Sequence, residues 1–185
     1  MTLQDIVSAA ETAMKKSLAH TEHEFSTINT GKAQPAMVEG VMVEACGSMM
    51  PLKNCATTTT PDARSIVITP FDKGLLKAIE RAILGANIGL TPSVQGAIVR
   101  CPVPELTGER RAELIKLANR YAEAGRVQVR NNRRDALEGV KKIQKEKTAS
   151  EDECKRAEKD VQTVTDKYIG FVDAALKAKE ADLRG

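Results

Sequence analysis

No proline interrupts residues 107–147, TGERRAELIKLANRYAEAGRVQVRNNRRDALEGVKKIQKEK, and the segment is predicted to form one helix. At about 1.5 Å of rise per residue, such a helix is about 60 Å long, longer than a small compact domain needs. Leu114, Ala118, Tyr121, Ala136, Val140 and Ile143 recur at helical spacing and mark a seam to be buried against other helices. Arg126, Arg130, Arg133, Arg134 and Lys141 fall on a second stripe, about 120° away at roughly 100° per residue. One face holds a fold together while the other offers fixed positive charge.

Two more helical stripes flank a different kind of sequence. Leu3, Ile6, Val7, Ala10, Ala13, Met14, Leu18, Phe25 and Ile28 line the first 29 residues, with Thr2 and Asp5 spaced as a capping pair. After Lys147, Ser150 followed by Glu151, Asp152 and Glu153 marks a third helix start. Its apolar stripe runs through Cys154, Val161, Val164, Tyr168, Phe171, Val172, Ala175 and Leu176. Between Pro35 and Pro104 the pattern changes to β sequence. AMVEGVMVEAC reads as a strand, GSMMP as a turn, CATTTT and RSIVITPF as strands around Pro61-Asp62-Ala63, and IVRCPVP as a last strand. Asp72 is placed to cap a helix KGLLKAIERAILGA, and GANIGLTPSVQG reads as a loop.

The expected fold is α+β: an elongated three-helix bundle with an inserted small β/α domain and a two-strand hinge. The bundle takes residues 1–29 and 107–185, and the insert takes 33–104. The hinge takes Thr30, Gly31 and Lys32 on the way out and Val103, Pro104, Glu105 and Leu106 on the way back.

The residue types exclude several functions. No Ser/His/Asp or Cys/His set is brought together by the helices, so no enzyme is expected. Cys46, Cys55, Cys101 and Cys154 lack CxxC spacing and read as reduced thiols of a cytoplasmic protein. His20 and His23 have an i,i+3 spacing but no evident third ligand, so no metal is expected. The glycines of GANIGLTPSVQG match neither GxxxxGK[ST] nor GxGxxG, so no nucleotide cofactor is expected. The N-terminus has charges where an export signal needs an apolar run, and no apolar stretch is long enough to cross a membrane.

Net charge is only +3, yet residues 107–147 hold twelve Lys/Arg against six Asp/Glu, while residues 148–185 hold seven against nine. A basic stripe on a helix is compatible with a solvated face, with a scaffold that meets acidic protein, and with RNA binding. Arginine in ERR and RNNRR matches phosphate oxygens with a two-pronged fork. Aromatic residues make up 3% of the chain and tryptophan is absent, so base stacking is a poor route; contact through phosphates and shape is the RNA reading that remains. A general structured-RNA-binding protein or RNA chaperone, and a helical scaffold, both stay open on this chemistry.

Three stretches narrow the choice. INTGKAQP at residues 28–35, LTGERRAEL at 106–114 and VRNNRRDA at 129–136, in their order and spacing, closely resemble the ribosome recycling factor family of bacteria and organelles. The resemblance implies a bent monomer that binds large-subunit ribosomal RNA in the post-termination complex. With elongation factor G, which binds and hydrolyses GTP, such a factor splits the subunits and releases mRNA and tRNA. It further implies that Arg130 and Arg133 contact the RNA, with Arg110 and Arg111 added by the second motif. The chain departs from the family pattern at Asn29 and Lys32, where arginines are usual, and at Asn132, where an apolar residue is usual. Asn132 points toward the seam, where its amide needs a hydrogen-bond partner.

Overall fold

The computed structural model describes residues 1–185. The chain divides into two units, one formed by Met1–Asn29 with Gly108–Gly185 and the other by Thr30–Thr107. The first unit is a bundle of α1 (Leu3–Ser26), α4 (Gly108–Glu146) and α5 (Glu151–Arg184), each packed on the other two. The predicted Thr2/Asp5 pair forms a capping box, and the predicted cap Ser150 proves to be half of a second one. Thr2 Oγ1 accepts from Asp5 N at 3.1 Å while Asp5 accepts from Thr2 N at 2.8 Å, and Ser150 and Glu153 repeat the exchange at the start of α5. At its far end α4 closes with Lys147 in the left-handed region. Thr148 N donates to Ile143 O and Lys147 N to Gln144 O, so two otherwise orphaned carbonyls are satisfied.

The seam of α4 buries Leu114, Ala118, Ala122, Gly125, Val129, Ala136, Val140 and Ile143. Four of these eight are alanine or glycine, and at those positions neighbouring elements approach closely. A Cβ on Gly125 would lie 3.2 Å from Cγ2 and 3.3 Å from Cβ of the buried Thr21 on α1, and closer still to its hydroxyl. Gly139 faces Ile6 of α1 in the same way, at 3.2 Å. Tyr121, placed on the seam by spacing, is half-buried, because Ala122 and Gly125 hold the centre of the contact at that level. Phe171 of α5 is 45% exposed and stacks edge-on against the buried Tyr168, with ring centroids 5.5 Å apart. Asn132 finds its partner on α1: its amide donates to Ser17 Oγ at 3.0 Å, and Ser17 donates onward to Ala13 O.

The second unit contains α2 (Ala36–Glu39), β1 (Met42–Ala45), β2 (Ser48–Pro51), β3 (Ala56–Asp62), β4 (Ser65–Pro70), α3 (Leu76–Ala86), β5 (Ser93–Gln95) and β6 (Ile98–Pro102). β1 and β2 form an antiparallel pair, and the other strands form an antiparallel sheet in the order β3-β4-β6-β5. Ile79 and Ile83 of α3 join Ile66, Ile68, Val99 and Cys101 of the sheet in one buried cluster. Burial pushes the Cys101 thiol up to about 11, which keeps it protonated and inert.

Three expectations for this unit are corrected. The first half of AMVEGVMVEAC is a helical turn, because Pro35 sits at its start with φ −55° and ψ −36°, already helical. GSMMP is not a turn but mostly β2. The turn lies earlier, at Cys46 and Gly47, whose φ values of +52° and +80° fit the tight hairpin that pairs Ala45 with Ser48. GANIGLTPSVQG ends in β5, a three-residue edge strand returned to β6 by Gly96-Ala97 and too short to display alternation. Asp72 caps as predicted, accepting from Gly74 N at 2.9 Å, with one 3-10 turn before α3 begins. No helix is long and apolar enough to cross a membrane. His20 pairs with Glu24 at 3.0 Å, and no three His, Cys, Asp or Glu side chains are grouped to hold a metal.

Candidate nucleic-acid interface

Because α4 is one unbroken helix, angular position decides what each cation of the stripe can do. Arg126 and Arg133 lie about 60–75° from the middle of the buried seam, whereas Arg130, Lys141 and Arg134 lie about 120–160° away. The inner pair therefore leans onto α5. Arg126 Nε donates to Asp173 Oδ1 at 2.8 Å and its Nη1 to Glu123 Oε2 at 3.0 Å, leaving the side chain 21% exposed. Burial alone would weaken its charge, but the bonds to Asp173 and Glu123 outweigh this and raise its pKa. Arg133 Nε donates to Gln162 Oε1 at 2.7 Å, and Gln162 donates in turn to Asp166. Gln162 is neutral, so Arg133 is oriented without losing its charge.

The outer three face water. Arg134 and Lys141 are exposed and have no ion-pair partner. Arg130 is 52% exposed and its Nη1 reaches Glu123 Oε1 at 3.2 Å. Glu123 thus serves two arginines, and their hydrogen bonds, Arg126 first, hold its carboxyl below the usual carboxylate range.

The second motif divides in the same manner. Arg110 is exposed and pairs with Glu113 at 2.9 Å. Arg111 is half-buried against the end of α5, where its Nη1 donates to Arg184 O at 3.5 Å and its Nε is buried without a partner. A guanidinium there meets the negative end of a helix and acts within the bundle. Arg126, Arg133 and Arg111 are thus half-buried. Arg110, Arg130, Arg134 and Lys141 are exposed.

The connecting segments pack and hydrogen-bond within the inserted unit. Thr30 and Val103 are buried, and Gly31 adopts φ +76° with its α-carbon side so close to Leu106 that a Cβ would sit 3.0 Å from Leu106 Cγ. Both segments bond to the β3–β4 turn: Ala33 N donates to Ala63 O at 2.8 Å and Val103 N to Arg64 O at 2.7 Å. The Arg64 guanidinium spans them, donating to Gly31 O and to Glu105 Oε1. Lys32, Pro104 and Glu105 remain exposed.

Sequence reasoning missed Gln162, Glu123 and Arg64. Glu123 had a signal, since i,i+3 and i,i+7 from Arg126 and Arg130 put all three on one face. Gln162 and Arg64 had none, because their partners are distant in the chain.

Residues 21–183 match the family model described as ribosome recycling factor. Among named relatives, the ribosome-recycling factor of Carboxydothermus hydrogenoformans is 46% identical over 181 residues, covering 98% of each chain. That of Rubrobacter xylanophilus is 47% identical over 183 residues, again covering 98% of each. A solution structure of a ribosome recycling factor superposes with a TM-score of 0.77 at 40% identity, over 98% of this chain and 97% of that one. A second structure, a model of the T. thermophilus ribosome recycling factor with E. coli elongation factor G on the E. coli post-termination complex, gives a TM-score of 0.66 at 42% identity over the full length of both chains.

Proposed function

Since the chain belongs to the ribosome recycling factor family, we propose that it binds large-subunit ribosomal RNA in the post-termination complex and, with elongation factor G, splits the subunits to release mRNA and tRNA. The observation that carries the reading is the outer stripe of α4, where Arg130, Arg134 and Lys141 face solvent beside the oriented Arg133. Cations fixed on one rigid helix lose little freedom when they meet phosphates, and their spacing selects a folded RNA by shape.

The bundle anchors the protein. The inserted unit moves about residues 30–32 and 103–106 when the GTPase acts on it, and the displacement breaks the bridges between subunits. GTP is bound and hydrolysed by the partner, and the factor acts as a cytoplasmic monomer. Replacing both Arg130 and Arg133 by Ala is expected to weaken binding to isolated large subunits and to reduce the slope of log affinity against log salt by about 0.7–0.9 for each phosphate left without its arginine. The circular dichroism of the bundle should not change. Titrations at several salt concentrations make the test, and wild-type affinity in the double variant would refute the interface.

A further inference from the structure

Glu123 stands inside the basic stripe, where a carboxylate opposes any polyanion. Its two oxygens are divided: Oε2 accepts from Arg126 at 3.0 Å and Oε1 from Arg130 at 3.2 Å. The two arginines are held unequally. Arg126 is fixed from the other side by Asp173, whereas Arg130 is bound by Glu123 and is otherwise in water. A phosphate can therefore take Arg130 while Glu123 keeps Arg126 as its counter-ion, so no carboxylate is stranded. We infer that Glu123 is a specificity-determining residue, a built-in competitor that holds Arg130 until a suitably placed phosphate displaces it. The inference rests on the RNA-binding role proposed for Arg130.

Distance along the helix explains why such a competitor discriminates between RNAs. Arg134 and Lys141 lie about 16 Å and 27 Å from Glu123 along the axis, at about 1.5 Å per residue. Arg130, about 10 Å away by the same measure, reaches the carboxylate through its side chain, so with a screening length of about 8 Å the repulsion is strongest for phosphates at Arg130, weaker at Arg134 and weakest at Lys141. An RNA whose shape sets its phosphates on Arg130 from the side of Arg134 meets Glu123 only through the exchange of one exposed ion pair. A loosely held polyanion samples every position on the stripe, and it loses those nearest Glu123 to repulsion. The carboxylate thus weakens poorly fitting ligands more than well-fitting ones.

The test compares Glu123→Gln with Glu146→Gln, which removes an equal charge from an exposed residue of the same helix that has no ion-pair partner and lies on another face. Affinities are measured for isolated large subunits and for an unrelated structured RNA. Glu123→Gln is expected to tighten the unrelated RNA by about two- to fivefold, the range an exposed ion pair spans, and to tighten large subunits by less. The ratio of the two affinities then falls, while Glu146→Gln leaves it in place. An unchanged or increased ratio in Glu123→Gln overturns the inference. Arg130→Ala separates the two levels. If it leaves large-subunit binding intact, the RNA-binding role of Arg130 fails; if it weakens binding while Glu123→Gln leaves the ratio unmoved, the role of Glu123 alone fails.

Discussion

In the inserted unit fourteen buried side chains, from Val38 to Val103, form a single cluster. The bundle instead spreads its buried residues along three helices in thin layers, one of which is only Met14, Val129 and Tyr168, a single residue from each helix. The insert concentrates large aliphatic residues such as Ile66, Ile68, Ile79 and Ile83, and its stability comes from volume filled at one place. The bundle intersperses alanine, glycine and threonine among larger seam residues such as Met14, Val129 and Tyr168, and depends on how closely helices approach at the small ones. Length follows from the second design. A layered seam can be extended turn by turn, and each added turn exposes more outer surface on which to mount charge, which a spherical core cannot do.

The contrast predicts unequal responses to damage. Ile66→Ala removes a fully buried side chain from the insert's core and should cost about 3–4 kcal/mol, within the range for such truncations. Amide exchange should show the destabilisation confined to the insert, with the helical signal at 222 nm retained; a matching effect in the bundle would mean that the two units fold as one. Gly125→Ala should cost about 1–2 kcal/mol in the bundle, because the methyl group collides with Thr21 by more than the gain in helix propensity offsets. Adding Thr21→Ala should recover most of that stability in denaturant titrations, and no recovery would place the strain elsewhere.

Acid should produce the smallest and most evenly shared effect. Asp5 at the start of α1 and Asp62 in the β3–β4 turn are both held below the usual carboxylate value by hydrogen bonds from Thr2 and from Arg64 and Ser65. Each adds stability that is present above the ordinary carboxylate pKa, about 4, and is lost as pH falls through the lowered value. Both units should therefore weaken below about pH 4. In the Asp62→Asn variant, measured between pH 6 and pH 2, the insert should lose part of its acid sensitivity while the bundle retains its own.

The two regions were also unequally legible. A period near 3.6 sustained over 24 to 39 residues identifies α1, α4 and α5, and the Thr2/Asp5 pair and the cap Ser150 with its following acids mark two starts. β2 and β5 escape because three or four residues cannot establish a period of two, and α2 because a proline that announces a break also begins a helix. Within the stripe, charge was visible but commitment was not. Arg126 and Arg133 lie nearer the seam than Arg130, a distinction that angular position supplied and that counting cations did not. The assignment of Arg111 required knowing where α5 ends, which no local pattern in the second motif records.

The chain leaves for the insert and returns from it past the same β3–β4 turn, with Gly31 against Leu106. The ends of the inserted unit thus lie side by side, which makes it a cassette. A linker of a few residues between Thr107 and Thr30 would close it into a ring, and the same two ends would allow it to be grafted into any exposed loop of a foreign host without stretching either junction.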